Sequence, residues 1–337
     1  MLNFDTDRFV RIQTGMVGIA RDLGSLVQRL VAEGADSLFF MGSGGAGILM
    51  QPAADLMQRT SALPCHNVLC AEIVLTGHKA LGPKSVVLMP SLSGTTKESI
   101  AALDYVKAAG ATVISITGHA DTPLAKGADY ALVNFAEDDT SCEMFYVTSL
   151  VAALAAMQAR GERSDYDALM AQLDGLPQQL LAVKQAFEPR AEDMARAIAA
   201  DGWHIITGSG AAWPEAYYYG MCILEEMQWI RTRPVHASDF FHGTLELLEK
   251  GVSVIVFAGE DETRPLTDRV ISFAKDYTDK LTVLDTRDLP TTGLSPELRA
   301  MLAPALLATV LERLSAHLEV LRKHPLVTRR YYKRVAY

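Results

Sequence analysis

The chain has 337 residues, 49% of them apolar and 21% charged, enough for about two domains with ordinary cores. Forty acidic against 31 basic side chains give a formal charge of −9. That balance argues against a general nucleic-acid or anionic-membrane surface, but leaves room for a small anion held by a few local groups. The first residues carry Asp5 and Asp7 and no basic stretch leading into an apolar run, so no signal peptide is expected. The longest uninterrupted apolar runs, such as Leu150 to Met157, fall short of the ~18 residues of a spanning helix. Four scattered cysteines, Cys65, Cys70, Cys142 and Cys222, are too few for a disulfide framework and fit a reducing cytoplasm. Cys65-His66 with Cys70 reads either as a fragment of a metal site or as ordinary core; no second ligand pair has zinc-like spacing, and no metal is expected.

In chain order, Ser37 to Met41 is an apolar strand entering the turn Gly42-Ser43-Gly44-Gly45-Ala46-Gly47. Asn67 to Cys70 reads as a short buried strand, and Ser85 to Pro90 as a continuous apolar strand ending at the polar loop Ser91-Leu92-Ser93-Gly94-Thr95-Thr96. A helix from Ile100 to Ala109 and a strand from Ala111 to Ile116 follow. The pattern then recurs. Trp203 to Gly210 repeats the first strand and its glycine turn, Val252 to Ala258 repeats the strand at Ser85, and Leu266 to Ala274 with Leu281 to Leu284 repeat the later helix and strand. Strands apolar throughout, alternating with helices, indicate parallel sheets covered on both faces. The expected fold is therefore α/β: two tandem doubly wound parallel-sheet domains, flavodoxin-like sandwiches related by duplication, over residues 1–165 and 180–337. The break lies around Arg160 to Leu180.

In such sheets ligands sit beyond the carboxyl ends of the strands. Four hydroxyls and a glycine at Ser91 to Thr96, directly before a helix, make a cradle for a phosphate, from hydroxyl donors, free N–H groups and the positive end of the helix dipole. Helix capping explains one such hydroxyl but not four. The matching loop of the second half, Gly259-Glu260-Asp261-Glu262-Thr263-Arg264, carries three carboxylates that would repel a phosphate. Gly42, Gly44 and Gly47 also satisfy a dinucleotide fingerprint. The acid that reading requires would be Glu72, at the end of the second strand and late in the chain.

These residues resemble the sugar isomerase, or SIS, domains of phosphosugar enzymes. The loop at Ser91 to Thr96 is similar to their sugar-phosphate signature, and the duplicated chain resembles the isomerase half of glucosamine-6-phosphate synthase, with no room for a glutaminase domain. Glu225-Glu226-Met227-Gln228-Trp229-Ile230 through Ser238-Asp239-Phe240-Phe241-His242-Gly243 is most similar to fructosamine 6-phosphate deglycases of the fructoselysine type, whose Glu and His are spaced as Glu226 and His242 are here. Read without the family, a Glu on a helix surface is usually solvated and a His at a helix start is usually structural. The expected helices are Glu215 to Ile230 and Asp239 to Glu249. The tail from Arg322 to Arg334 holds six Lys or Arg and no acid. It reads as basic residues suiting a helix end, or as a segment docked through Tyr331, Tyr332, Val335 and Tyr337. In the synthase family such a tail presents a lysine to the active site, which by resemblance is Lys333, following Arg329.

The resemblance implies hydrolysis of a fructosamine 6-phosphate, an Amadori product, to glucose 6-phosphate and a free amine. Ser43, Gly44, Ser91, Ser93, Thr95 and Thr96 would hold the phosphate. His242 would open the ring, and Glu226 would move a proton from C1 to C2 through an enaminol, acting as a base tuned toward neutrality by desolvation. No cofactor or metal is implied, and a homodimer with a shared active site is. Ala46, Asp239 and Thr244 depart from the family's usual Ser, Glu and Pro. Rival readings are an aldose–ketose isomerase, a glucosamine-6-phosphate deaminase and a non-catalytic phosphosugar sensor, although the segment before Ser37 is too short and too little basic for a helix-turn-helix. Arg231 and Arg233 read as surface charges or as contacts for an amino-acid carboxylate.

Overall fold

The computed structural model describes residues 1–332 and 334–336. The chain forms two compact units, Thr6–Gln178 and Met1–Asp5 together with the chain from Gln179 onward. In the first, β1 (Ser37–Gly42), β2 (Cys65–Leu69), β3 (Ser85–Ser91), β4 (Thr112–Thr117) and β5 (Tyr130–Val133) form one parallel sheet in the order β2-β1-β3-β4-β5. Leu38 pairs with Cys65 on one side of β1, and Ser37 with Ser85 on the other. Both central strands are buried along their whole length, as their unbroken apolar runs require. Phe39, Met41, Val87 and Met89 pack on Ala102, Leu103 and Val106 of α2 (Lys97–Ala108).

A 27-residue helix, α1 (Thr6–Ala32), precedes the sheet. It buries Phe9, Ile12, Met16, Ala20, Leu23 and Val27 at helical spacing and packs on α3 (Ser141–Ala159). By length and composition α3 could cross a bilayer, although Glu143, Thr148 and Ser149 keep its uninterrupted apolar runs short, as expected from the sequence. Every residue from Ser141 to Met157 is buried, as expected of a core helix hydrophobic on all sides.

The second unit repeats the order of the first four strands and lacks a counterpart of β5 among the described residues. Its β6 (Trp203–Gly208), β7 (Arg231–His236), β8 (Ser253–Ala258) and β9 (Lys280–Asp285) lie parallel in the order β7-β6-β8-β9. Met1–Asp5 joins this unit rather than the one that follows it in sequence. The Leu2 amide donates to Glu188 of α4 (Leu176–Ala199) at 2.7 Å, while the buried guanidinium of Arg313 on the later helix Ala303–Arg322 donates to the Leu2 carbonyl. At the other boundary, Tyr166–Gln172 is helical and belongs to the first unit, Gly24 leaving the space its Tyr166 hydroxyl fills.

Three local expectations change. The second strand ends at Leu69, because Cys70–Thr76 turns helical; Glu72 is exposed on that helix, not at a strand end, which removes the acid the dinucleotide reading needs. The helix expected over Glu215 to Ile230 is α5 (Trp213–Tyr218) continued as a π-helix over Tyr219–Glu225. Asp239 to Glu249 is not an α-helix but two 3₁₀ turns, Phe240–His242 and Thr244–Leu247, split at Gly243, whose φ of 149° no helix accommodates.

Candidate active site

The order β2-β1-β3-β4-β5 reverses direction between β1 and β3, and at such a switch point the loops beyond the two strands diverge to leave a crevice. The loops there are those read as a phosphate cradle. Gly42 is obligatory in the first: a Cβ on it would lie 2.5 Å from the backbone of Gly47, so only glycine lets the chain turn so tightly. In the second, Gly94 has φ +60° and a Cβ there would strike Thr122. Ser91 Oγ accepts the Gly94 amide at 3.1 Å and lies 3.4 Å from Thr96 Oγ1. Ser93 Oγ accepts from Thr95 Oγ1 at 3.1 Å. Thr96 is the N-cap of α2, yet its side chain makes no capping bond. The loop is therefore not spent on capping, and the first amides of α2 keep their hydrogen-bonding capacity for an anion.

The sequence reading overlooked Ser99, one turn into α2. Its hydroxyl lies 3.3 Å from Ser43 Oγ, so a single pair links the two loops. Cys70 completes this cluster at 3.9 Å from Ser99; burial pushes its thiol up, the hydroxyls of Ser43 and Ser99 offsetting only part of that, and it stays neutral beside the cradle.

The second unit builds the same turn and then fills it. Ser209 and Thr267 repeat the hydroxyl pair at 2.6 Å. The Asp261 carboxylate accepts the amides of Ala211 at 2.8 Å and Thr263 at 2.9 Å, together with the Thr263 hydroxyl. Its oxygens come so close to Gly210 that a Cβ there would sit 2.3 Å away. An internal carboxylate thus takes these donors in the second unit, whereas in the first unit the Thr95 amide and hydroxyl meet the neutral Ser93 hydroxyl, at 3.4 and 3.1 Å.

Glu226 follows the π-turns directly, its amide donating to Met221 five residues back at 3.1 Å. Single π-segments of this kind recur at functional sites. The helix then closes through Ile230 N–H to Leu224 C=O at 2.8 Å, a bond reaching back six residues, with a left-handed residue just before its donor. That residue is Trp229 at φ 55°, a conformation costing about 1–2 kcal/mol outside glycine. The described part of the tail folds back here. Arg329 donates Nε to Glu226 Oε1 at 2.8 Å, and its own position is held by the Leu326 carbonyl at 2.6 Å. Glu225 faces elsewhere chemically, accepting the amide and hydroxyl of Thr232 at 3.1 and 2.6 Å. Glu225, Glu226, Trp229, Arg231, Arg329 and Arg330 share the wall of a cavity of about 910 Å³.

At Glu226 two influences oppose each other: the Arg329 guanidinium favours the ionised carboxylate, and desolvation favours the neutral acid. Burial, with Glu226, Glu215 and Glu225 nearby, pushes the adjacent Cys222 thiol up to about 12, which makes it core rather than nucleophile. His242, exposed at the end of its 3₁₀ turn, is not among the residues lining the Glu226 cavity. Lys333 lies outside the described residues.

A family model described as the SIS domain matches residues 33–163. The chain is 31% identical over 324 residues to fructosamine deglycase FrlB of Bacillus subtilis, covering 95% of this chain and 98% of that one. It is 27% identical over 310 residues to fructoselysine 6-phosphate deglycase of Escherichia coli, covering 91% and 88%. A crystal structure from Bacillus subtilis, provisionally assigned as a phosphosugar isomerase, superposes with a TM-score of 0.87 at 31% identity, covering 94% of this chain and 97% of that one. A repeated flavodoxin-like sheet, a hydroxyl loop at its switch point and end-to-end similarity to these proteins converge on one assignment: the chain is an enzyme of the SIS phosphosugar isomerase and deglycase family.

Proposed function

We propose that this enzyme hydrolyses a fructosamine 6-phosphate to glucose 6-phosphate and a free amine or amino acid. The observation that carries the reading is the Glu226 carboxylate, paired with Arg329 on the wall of a cavity, in a chain similar to a deglycase over 95% of its length. Ser43, Gly44, Ser91, Ser93, Thr95 and Thr96 bind the 6-phosphate, with Ser99 fixing the geometry between their two loops. Binding energy gathered at the phosphate orients the reacting carbons without taking part in bond breaking.

His242 transfers the proton that opens the sugar ring. Glu226 then takes a proton from C1, next to the substrate nitrogen, and the electron pair moves through an enaminol; returning the proton to C2 leaves an imine at C1. Water adds to that imine, and its collapse releases the amine and the C1 aldehyde of glucose 6-phosphate. The substrate brings its own nitrogen, so no enzyme-bound Schiff base is required. Lys333 belongs to the proposal on family resemblance alone. The enzyme works as a cytoplasmic homodimer, where its four free, buried thiols stay reduced and His242 serves the partner's Glu226; the exposure of His242 away from its own chain's Glu226 cavity supports this.

The test is glucose 6-phosphate release, by a coupled assay, from fructoselysine 6-phosphate and other fructosamine 6-phosphates. Glu226→Gln and His242→Ala are each expected to lose about 100-fold or more. Mixing the two inactive variants should restore part of the activity if the site is shared between copies. Ammonia release from glucosamine 6-phosphate, or interconversion of an aldose and a ketose phosphate, with no turnover of any fructosamine substrate, would move the enzyme to the deaminase or isomerase reaction.

A further inference from the structure

Met1–Asp5 is bound by the chain the way a protein binds a peptide. Helix α1 begins at Thr6 and belongs to the first unit, yet Met1–Asp5 belongs with the chain from Gln179 onward. Exposure alternates along the segment: Leu2 and Phe4 are half-buried, while Met1, Asn3 and Asp5 are exposed. Two side chains therefore turn toward one surface. Asn3 sets the kink between them at φ 47°, a left-handed conformation that asparagine reaches more readily than most residues.

The surface is built from charges. Both main-chain groups of Leu2 are taken, its N–H by Glu188 of α4 at 2.7 Å and its C=O by Arg313 of the helix Ala303–Arg322. Phe4 lies under two cations, its ring centroid 5.2 Å from the central carbon of Arg313 and 5.7 Å from Lys184 Nζ. Both cations are 0% exposed. Arg313 also donates to Glu188 at 2.7 Å, Lys184 donates to Glu312 at 2.7 Å, and His317 lies 3.2 Å from Glu188. Two helices that only packed on each other would gain as much from apolar residues of the same volume. Buried charges whose remaining donors and acceptors end on the main chain of Leu2 are accounted for by the peptide they hold. Main-chain bonds for affinity and alternate side chains for fit are the usual terms of peptide recognition.

The segment has no slack. Asp5 is followed directly by the first residue of α1, so the chain crosses between the units twice, at Asp5–Thr6 and at Gln178–Gln179. We propose that the Lys184–Arg313 surface is a peptide-binding site whose ligand is Met1–Asp5 of the same chain, and that the bound segment is a strap that makes the two units unfold together. A docked strap fixes the start of α1, and a formed α1 presents the strap to its site at high effective concentration. Losing either unit weakens the other.

The test is thermal unfolding of the full chain, of a variant lacking residues 2–5, and of that variant with the peptide Met1 to Asp5 in excess. All three tryptophans, Trp203, Trp213 and Trp229, lie in the unit from Gln179 onward, so their fluorescence identifies its transition beside the calorimetric trace. Wild type should unfold in one transition. The deletion variant should show two, with the tryptophan-reported one lowered by about 5–10 °C. The separate peptide should bind that variant one per chain and bring back most of the shift, yet leave two transitions, because it is no longer joined to α1. Phe4→Ala keeps the full chain and both Leu2 bonds. It should lower the unfolding midpoint by about 2–6 °C, and it tests the site if the deletion variant does not fold. Two transitions in wild type would overturn the proposal. So would a deletion variant that unfolds like wild type, a folded deletion variant that does not bind the peptide, or an unchanged midpoint in Phe4→Ala. Loss of a dimer on deletion, seen by light scattering, would assign the strap to a second copy and overturn its placement within one chain.

Discussion

Duplication supplies a natural control for the phosphate cradle. Counting from the first residues of β3 and β8, Ser85 and Ser253, Asp261 stands at the position Ser93 occupies in the first unit, and Thr267 stands opposite Ser99. The hydroxyl pairs Ser43–Ser99 and Ser209–Thr267 share that correspondence. Ser93→Asp should therefore build in the first unit the plug the second already has. The fold should tolerate it, since Ser93 is only half-buried and the carboxylate has amides to accept. Binding should not. A doubly charged phosphate about 4 Å from the new carboxylate costs about 2 kcal/mol even at the dielectric constant of water, and about 8 kcal/mol at an effective value near 20. The lower figure alone is about 30-fold in affinity. Ser93→Ala, which removes one neutral donor, should cost only about 1 kcal/mol, or roughly fivefold. The assay is the inhibition constant of glucose 6-phosphate, or KM for a fructosamine 6-phosphate, in wild type and both variants. If Ser93→Asp bound as well as Ser93→Ala, with its fold intact, the phosphate could not sit in this loop and the reasoning would fail.

Two further outcomes follow from ion pairs. Arg329→Ala removes the cation that favours ionised Glu226, so the acid limb of the kcat/KM profile should move to higher pH; an unmoved limb would mean that Glu226 is not the group titrating there. At Glu188, burial works upward, but Arg313, the Leu2 amide and His317 outweigh it and bring the carboxyl from 4.5 down to about 2. A depressed carboxyl contributes stability that is fully present above about pH 4.5 and is lost as the pH falls toward 2, here about 2 kcal/mol once solvent screening is allowed for. The gap in urea-unfolding free energy between wild type and Glu188→Gln should therefore narrow between pH 5 and pH 3. A constant gap would show that Glu188 acts through shape rather than charge.

Sheet class, duplication and the hydroxyl-rich loop at the end of β3 were legible because they depend on local chemistry. Strands such as Ser85 to Pro90 are apolar at every position only when both faces are covered, and Ser91 to Thr96 concentrates its hydroxyls where a strand hands over to a helix. Spacing within one segment, read through a family resemblance, also singled out Glu226 and His242. Tertiary structure decided what those residues meet. Arg329 finds Glu226 across a hundred residues of chain, and Ser99 finds Ser43 from a different strand's loop; no local pattern encodes such pairs, because the side chains touch only after the strands have taken their order. The π-winding before Glu226 and the left-handed Trp229 are likewise imposed, since the intrinsic preferences of Tyr219–Ile230 favour an ordinary helix and packing alone overrides them. The acidic loop of the second half could be read as hostile to phosphate from its charge. That Asp261 turns inward and becomes the anion, instead of merely repelling one, required the Gly210 turn and the Ala211 amide to be brought beside it.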